Sequence, residues 1–335
     1  MSACRLPLGP ESPWLAPLAG FTDLPFRLLC REQGAAVACT EMISAKGLVF
    51  GARARRGDGG GSFGLLATRP EDAPLVVQIF GAEAEYLGEA VRMLLDRGFS
   101  WFDLNMGCPV PKVTKTGAGA ALLKNPSRAL ACARAMLAAA PPGRVGVKLR
   151  LGWEEPVLPE LGRALEEAGA GWLSLHPRSA RQGFSGAVRE EALGELAAAV
   201  SIPVLASGDL FSAEDGLARL GTGVAGVMFA RGALRDPAIF ARYRAALRGV
   251  RLPDPLGPEN LRSLIRRHLE LAQALSSGRA GKRERAPGML KMRAIVPRYI
   301  RHLPGARRLR GEMVRCESWE RLRALVEEFF HGCDP

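Results

Sequence analysis

The sequence predicts a (β/α)8 barrel of the TIM-barrel type, followed by a small all-helical C-terminal domain. Through the first 245 residues, short apolar runs that end in Gly, Asp, Asn, His or Arg alternate with stretches of helical Leu and Ala spacing, which is typical of a parallel α/β protein. Eight such runs fall within about 230 residues, close to the usual size of this barrel. No strand pattern returns after a proline-rich stretch at 251–258.

The predicted strands and helices follow one another in chain order. The strands are 14–18, 36–42, 75–80, 101–105, 145–150, 172–176, 203–207 and 226–229. The helices are 25–33, 84–97, 126–140, 158–168, 190–200 and 213–220, and several stop at a glycine, as helix ends prefer. The glycine-rich segment 51–64 is predicted to be a long mobile loop at the catalytic mouth. A doubly wound sheet is the alternative, but the residues after the first strand, Ala-Gly-Phe-Thr-Asp, lack its glycine-rich fingerprint.

Three segments follow from this pattern: a catalytic barrel over 1–245, a proline-rich linker over 246–258 and a basic helical domain over 259–335. Apolar residues at 261, 264, 265, 271 and 275 have the spacing of an amphipathic helix at the start of the third segment. The basic stretch 278–285 is predicted to end that helix, and two or three more helices run from 287 to about 331.

Composition excludes several classes of protein. Of the 335 residues, 47% are hydrophobic and 24% are charged, values of an ordinary globular chain. No apolar run approaches the ~18 residues of a membrane span, and no secretory signal is recognisable, so we expect a cytoplasmic protein, and we expect it to be monomeric. The seven cysteines form no C-x-x-C pair, so neither a metal site nor a disulfide framework is predicted.

Positive charge is concentrated near the C-terminus. Between 251 and 335 there are 18 Lys and Arg against 10 Asp and Glu, a net charge of +8 out of a total of +12. Clustered positive charge favours a polyanionic partner such as a nucleic acid. The alternative is an arginine-rich composition spread over solvated helix faces, since the chain has 39 Arg and only 7 Lys.

Polar residues lie at the predicted strand ends, where barrels of this kind build their active sites. They are Gln78, Asn105, Cys108, Lys148, Arg150, His176, Arg178, the run Ser207-Gly208-Asp209, and the run Arg231-Gly232. Glycine turns after the seventh and eighth strands allow backbone N–H groups to approach a phosphate. A phosphorylated cofactor or substrate is therefore predicted, with simple turn glycines as the alternative.

Several motifs resemble those of the tRNA-dihydrouridine synthases. They are Leu-Ala-Pro-Leu-Ala-Gly-Phe-Thr-Asp-Leu-Pro-Phe-Arg at 15–27, Val-Gln-Ile at 77–79, Asp-Leu-Asn-Met-Gly-Cys-Pro at 103–109, Lys-Leu-Arg at 148–150, His-Pro-Arg-Ser at 176–179 and Gln-Gly-Phe-Ser-Gly at 182–186. The resemblance extends to Lys-Met-Arg at 291–293 and to 299–305 in the helical segment. It is closest to the bacterial members with one barrel and one helical tRNA-binding domain.

The resemblance implies an oxidoreductase that uses FMN, reduced by NADPH, to saturate the C5–C6 bond of uridines in the D-loop of tRNA. It implies Pro17, Gln78, Lys148 and His176 around the FMN ring and ribityl chain, Gly208, Asp209, Arg231 and Gly232 at the FMN tail and phosphate, and Asn105 and Arg178 as uracil ligands. The chain departs from the family at Leu18, where Met is usual, and at Ser207, where Asn is usual.

Cys108 is the predicted proton donor to C5, because a thiol with a pKa near ~8.5 is mostly protonated at neutral pH. The alternative for this residue is a buried structural cysteine. For the whole chain, one alternative is an FMN barrel that acts on a small free pyrimidine of the dihydroorotate or dihydropyrimidine type. Another is an RNA-binding protein without catalytic activity.

Overall fold

A single parallel sheet forms the centre of the computed structural model, which describes residues 6–54, 61–250, 257–276 and 287–331. Its strands are β1 (Trp14–Leu15), β2 (Val37–Cys39), β3 (Ile43–Ser44), β4 (Leu75–Phe80), β5 (Trp101–Met106), β6 (Val145–Arg150), β7 (Leu173–His176), β8 (Val204–Ala206) and β9 (Gly226–Phe229). β1 pairs with both β2 and β9, and β2 also pairs with β4, so the sheet closes on itself. The predicted barrel is confirmed.

The second strand differs from the prediction, because β2 and β3 share one position in the barrel. Both pair with β4, β2 through Ala38 and β3 through Ile43. Between them, the Thr40 hydroxyl accepts a hydrogen bond from the Gln78 N–H at 3.1 Å. A side-chain oxygen thus replaces a backbone carbonyl in the ladder. The predicted strand 36–42 is shortened to β2, and β3 begins just beyond its predicted end.

Helices surround this barrel. They are α1 (Leu24–Glu32), α2 (Ala45–Arg53), α3 (Gly61–Gly64), α4 (Ala84–Asp96), α5 (Pro111–Thr114), α6 (Pro126–Ala139), α7 (Glu160–Glu167), α8 (Glu191–Ala199), α9 (Ala213–Leu220), α10 (Arg231–Arg235) and α11 (Ile239–Leu247), with 3₁₀ turns at Pro70–Asp72 and Gly119–Lys124. The sequence pattern did not predict α2, α3, α5, α10 or α11. The Ser44 hydroxyl caps α2 by accepting from the Gly47 N–H. The prediction of a loop over 51–64 is wrong at 51–53 and 61–64, which are helical, and 55–60 lie outside the described residues.

Tryptophans close the barrel interior at the amino ends of the strands. The ring of Trp172 lies 5.6 Å from that of Trp14 and 6.2 Å from that of Trp101, measured between centroids. A Cβ on Gly146 would come within 2.0 Å of the Trp172 ring, so this position must be glycine for the plug to form. Because these side chains fill the amino end of the barrel, the open space described below lies at the carboxyl ends of the strands.

Helices are the only regular secondary structure of the C-terminal segment in its described residues. It contains α12 (Pro258–Ser276), α13 (Pro287–Tyr299), α14 (Ala306–Arg315) and α15 (Trp319–His331). Residues 251–256 of the predicted linker and the basic stretch 278–285 lie outside the described residues. Of the helices within the described ranges, none is long and apolar enough to cross a membrane.

The helical segment and the barrel share one apolar cluster. Phe26 and Leu29 of α1 belong to the same buried cluster as Ile265 and Leu269 of α12, and Arg267 forms a 2.7 Å ion pair with Glu32 at its edge. This packing is continuous with the barrel's outer layer. The division of the chain at 245 and 258 stays a prediction, since the two parts bury apolar surface against each other.

Candidate active site

A cavity opens at the carboxyl ends of the strands. Its lining is Ala16, Pro17, Leu18, Ala19, Met42, Gln78, Asn105, Gly107, Cys108, Pro109, Val110, Lys148, Arg150, His176, Phe184, Ser207, Gly208, Asp209, Leu210, Phe211, Ala230 and Arg231. Nine of the eleven residues predicted from the sequence as site residues are in this set. Arg178 and Gly232 are not.

A chain of side-chain amides forms the floor of the cavity. Asp103 Oδ2 accepts from Gln78 Nε2 at 2.7 Å, and Gln78 Oε1 accepts from Asn105 Nδ2 at 2.7 Å. Asn105 Oδ1 in turn accepts from the backbone N–H of Gly107 at 3.1 Å and of Cys108 at 2.9 Å. Because a carboxylate only accepts, Asp103 fixes the orientation of both amides. The loop that bears Cys108 is thereby tied to the barrel interior.

Asn105 was predicted to hydrogen-bond a substrate, and its geometry narrows what it can offer. Its oxygen is used by the Cys108 loop, and one amide hydrogen goes to Gln78. The remaining amide hydrogen faces Met42 Sδ at 3.8 Å, a weak acceptor. Asn105 can therefore donate to a ligand in the cavity, whereas its oxygen has no accepting role there.

The Cys108 side chain is half-buried at the cavity wall. Burial raises the pKa of its thiol, although the Val110 N–H and the positive charges of Arg150 and Lys148 act in the opposite direction. At neutral pH the group is consequently a protonated thiol. It can donate a proton to a molecule in the cavity.

Lys148 enters the cavity from β6, in register with Asn105 on β5. Burial lowers the pKa of its ammonium group, an effect that the Asp103 carboxylate partly offsets. Burial likewise raises the pKa of Asp103. Among the described residues, Lys148 has neither a hydrogen-bond partner nor an ion-pair partner. Its ammonium group is free to bind a ligand.

His176 ends β7 beneath the glycine turn that follows β8. Burial lowers the pKa of His176 to about 2, and the charges of Arg150, Lys148, Arg178 and Arg231 add to this effect. The imidazole is therefore neutral. Gly208, with φ +97°, is required here, because a Cβ would come within 2.3 Å of the His176 ring.

Arg178 lies behind His176, outside the cavity lining. Its guanidinium donates to the Gly186 carbonyl and to Asp209, and Arg231 forms a second ion pair with Asp209. The uracil contact assigned to Arg178 stays a prediction; in this structure its Nε and Nη2 donors bind groups of the protein itself. Gly232 packs directly behind Leu210 instead of lining the cavity.

Arg150 had no role assigned from the sequence, although its strand-end position was visible. Its guanidinium donates to the carbonyls of Gly107 at 2.7 Å, Ser179 at 3.0 Å and Gly183 at 2.7 Å. Arg150 thus joins the Cys108 loop to the loop after β7. Phe184 on that second loop is 56% exposed at the rim of the cavity. The guanidinium carbon of Arg231 lies 4.3 Å from the centre of its ring. Phe184 belongs to the motif at 182–186 but had no role assigned, and nothing in the sequence pattern distinguished Phe211 or Met42.

Comparisons with known proteins agree along most of the chain. A family described as dihydrouridine synthase matches residues 14–332. Probable tRNA-dihydrouridine synthase 1 of Synechocystis sp. is 32% identical over 318 residues, which cover 93% of this chain and 84% of that protein. tRNA-dihydrouridine synthase B of Pseudomonas syringae pv. tomato is 34% identical over 324 residues, covering 95% and 91%. An old yellow enzyme homologue from Zymomonas mobilis superimposes with a TM-score of 0.47 at 14% identity, covering 72% of this chain and 89% of that chain.

Proposed function

The chain belongs to the dihydrouridine synthase family, and from that premise we propose that it reduces the C5–C6 bond of uridines in the D-loop of tRNA, with bound FMN and with NADPH as reductant. The observation that carries the proposal is one cavity lined by both a protonated thiol, Cys108, and a lysine without a partner in the described chain, Lys148. Reduction of a C=C bond conjugated to a carbonyl requires a proton donor, and a nearby positive charge stabilises the anionic form of a reduced flavin.

The donor set of the cavity fits FMN. Lys148, Gln78 and the neutral His176 line the cavity together with the apolar Pro17 and would hold the flavin through their hydrogen-bonding groups. When bound, FMN supplies the hydride that adds to C6. At the outer end, Arg178 and Arg231 share the single carboxylate of Asp209. That trio keeps a net charge of +1, which suits a phosphate.

Cys108 delivers the proton to C5 in this proposal. The raised pKa of the thiol keeps it protonated before the proton is transferred to C5. Asn105 and Arg150 fix the loop that bears Cys108 through hydrogen bonds to its backbone. Such positioning of the donor reduces the entropy that must be lost on reaching the transition state. Lys148 stabilises negative charge that develops beside it, because its own position requires no reorganisation.

Exposed arginines of the helical segment support tRNA as the substrate. On α12, Arg262 and Arg266 are paired with Glu327 of α15. By contrast, no carboxylate partner is found within the described residues for four exposed arginines on or beside α14, namely Arg301, Arg307, Arg310 and Arg315. Unpaired guanidinium groups are suited to phosphates, which they can bind in a bidentate manner. A small free pyrimidine has no phosphates for these arginines to bind.

The test is a direct assay of the full-length protein. The purified protein is expected to be yellow, with FMN identified by mass spectrometry after denaturation. With NADPH and unmodified tRNA it should form dihydrouridine that maps to the D-loop. Orotate, uracil and free uridine, which each keep an unsaturated C5–C6 bond, serve as competing substrates in parallel reactions with NADPH. Turnover of one of these without activity on tRNA would replace the proposal by the small-pyrimidine alternative.

A further inference from the structure

Lysine 291 lies on α13 of the helical segment, yet its ammonium group contacts the barrel. Its Nζ is 3.1 Å from Asp23 Oδ2 and 3.1 Å from Glu41 Oε1. Burial lowers the pKa of Lys291, but the two carboxylates outweigh that effect and the pKa is raised. The lysine is therefore charged, and two barrel carboxylates compete for it.

Glu41 passes this contact on to the active-site cavity. Its second oxygen, Oε2, accepts from the backbone N–H of Gly20. Gly20 belongs to the turn 18–22, which is closed by hydrogen bonds from the N–H groups of Phe21 and Thr22 to the Leu18 carbonyl. Pro17, Leu18 and Ala19, at the start of that turn, form one wall of the cavity.

A second contact joins the same helix to the same turn. The guanidinium of Arg298 lies 4.7 Å from the centre of the Phe21 ring. Lys291 and Arg298 are seven residues apart, two helical turns, and so lie on one face of α13. This face reaches the turn indirectly at Gly20, through Glu41, and directly at Phe21. Neither contact involves the catalytic groups themselves.

We propose that Lys291 is a positioning residue of the active site, which acts through Glu41 to hold the turn 18–22 and, with it, the cavity wall formed by Pro17 and Leu18. Without the Lys291 cation, Asp23 and Glu41 are two like charges that nothing neutralises between them, and Glu41 loses the partner that orients it toward Gly20. The helical segment thus helps to shape the cavity, beyond any contact that it makes with a substrate.

A phosphate contact is the competing role for a lysine in this segment. The geometry disfavours it, because both carboxylates must be displaced before Nζ can reach an anion, whereas Arg307 and Arg310 have no such partners in the described chain. A lysine held between two carboxylates is also a poor polyanion ligand, since the local net charge is negative.

The first test is amide hydrogen exchange, which needs neither flavin nor tRNA. In full-length Lys291→Met, the Gly20 amide should exchange roughly tenfold faster than in the wild type, since the hydrogen bond to Glu41 opens more often. Lys46→Met is the matched control, because Lys46 forms a surface pair with Glu83 at 3.5 Å, away from the turn. Its Gly20 exchange should be unchanged. Equal exchange in wild type and Lys291→Met would overturn the proposal.

The second test is flavin affinity, and it rests on the proposed function. By fluorescence titration, Lys291→Met should bind FMN roughly five- to tenfold more weakly than the wild type, and Lys291→Arg close to normally. In a Glu41→Gln background, Lys291→Met should add little, because the lysine acts through that carboxylate. The Kd for tRNA should stay within about twofold.

The outcomes separate the two proposals. Absence of FMN binding by the wild type would contradict the proposed function, while amide exchange would still decide the role of Lys291. Normal FMN binding by Lys291→Met, with weaker tRNA binding, would make the lysine a phosphate ligand and overturn the positioning role.

Discussion

The cations of the cavity and those of the helical segment differ in their surroundings. In the cavity, burial lowers the pKa of Lys148, and it lowers the pKa of Arg150 to about 10. In the helical segment, hydrogen bonds to Glu327 and Glu32 raise the pKa values of Arg266 and Arg267, which are exposed. The cations of the cavity are charged despite the desolvation that burial imposes. The cations of the helical segment are charged in contact with water.

This difference teaches which charges can act on chemistry and which on association. A buried cation interacts strongly with neighbouring charge and is weakly screened by salt, because little water lies between the groups. An exposed arginine acts over a Debye length of about 8 Å at physiological salt and loses its effect as salt rises. Substitutions in the two regions should therefore change different observables.

The largest effect is expected for Cys108→Ala. Loss of the proton donor should lower the rate of dihydrouridine formation by roughly 10²–10⁴-fold, while FMN content and reduction by NADPH stay normal. Single-turnover reduction of tRNA measures the first quantity and flavin absorbance the second. Cys132→Ala is the control, because Cys132 is buried on α6 outside the cavity. Wild-type dihydrouridine formation by Cys108→Ala would remove the thiol from the mechanism.

Lys148→Met should have the next largest effect, and on a different step. Removal of a preorganised charge from such a site costs roughly 10²–10³-fold, seen here as slower flavin reduction by NADPH or weaker FMN retention. Salt should not restore or deepen the defect, because the lost interaction is buried. Stopped-flow measurements at two ionic strengths would check this. An unchanged NADPH half-reaction with unchanged flavin content would contradict the role given to Lys148.

The pH dependence of flavin reduction sharpens the same point. A lysine is charged below its pKa, so the rate should fall as pH rises through the lowered pKa of Lys148, below the ~10.4 of a free lysine. His176 should cause no change of rate with pH in this range, since its pKa of about 2 keeps the imidazole neutral throughout. In Lys148→Arg the descending limb should move to higher pH. A limb that stays in place would assign it to another group.

Much of the fold and part of the site were predictable from the sequence. The strand bounds at 75–80, 145–150 and 226–229 match β4, β6 and β9, because each is a short, mainly apolar run of strand length. Site residues were predictable from their strand-end positions, since a parallel barrel brings those ends together.

Hydrogen-bond partners were not predictable in the same way. Arg178 stands at a strand end like His176, yet it points to Asp209, which is 31 residues away along the chain. Asp103 looked like a barrel residue without a role, and its place beneath Gln78 depends on the lateral register of β4 and β5. The contact from Lys291 to Glu41 spans 250 residues and a segment boundary. Such pairs follow from three-dimensional packing, for which the sequence pattern holds no local signal.

The smallest effect per residue is expected on the helical surface, and there salt decides the outcome. Arg307 and Arg310 lie three residues apart on one face of α14 and are exposed. If both bind phosphates, the double variant Arg307→Ala/Arg310→Ala should bind tRNA several-fold more weakly, and the slope of log affinity against log salt should fall by about 0.9 per lost contact.

The control is Arg321→Ala, which removes an arginine of the same segment that is paired with Glu328 at 2.8 Å. If Arg321→Ala changes the salt slope as much as each arginine removed in the double variant does, net charge alone attracts the tRNA. FMN content should be unchanged in both variants, because neither position lines the cavity. Loss of flavin together with tRNA affinity would show that the two regions do not act separately, and the contrast between buried and exposed charge would then fail for this protein.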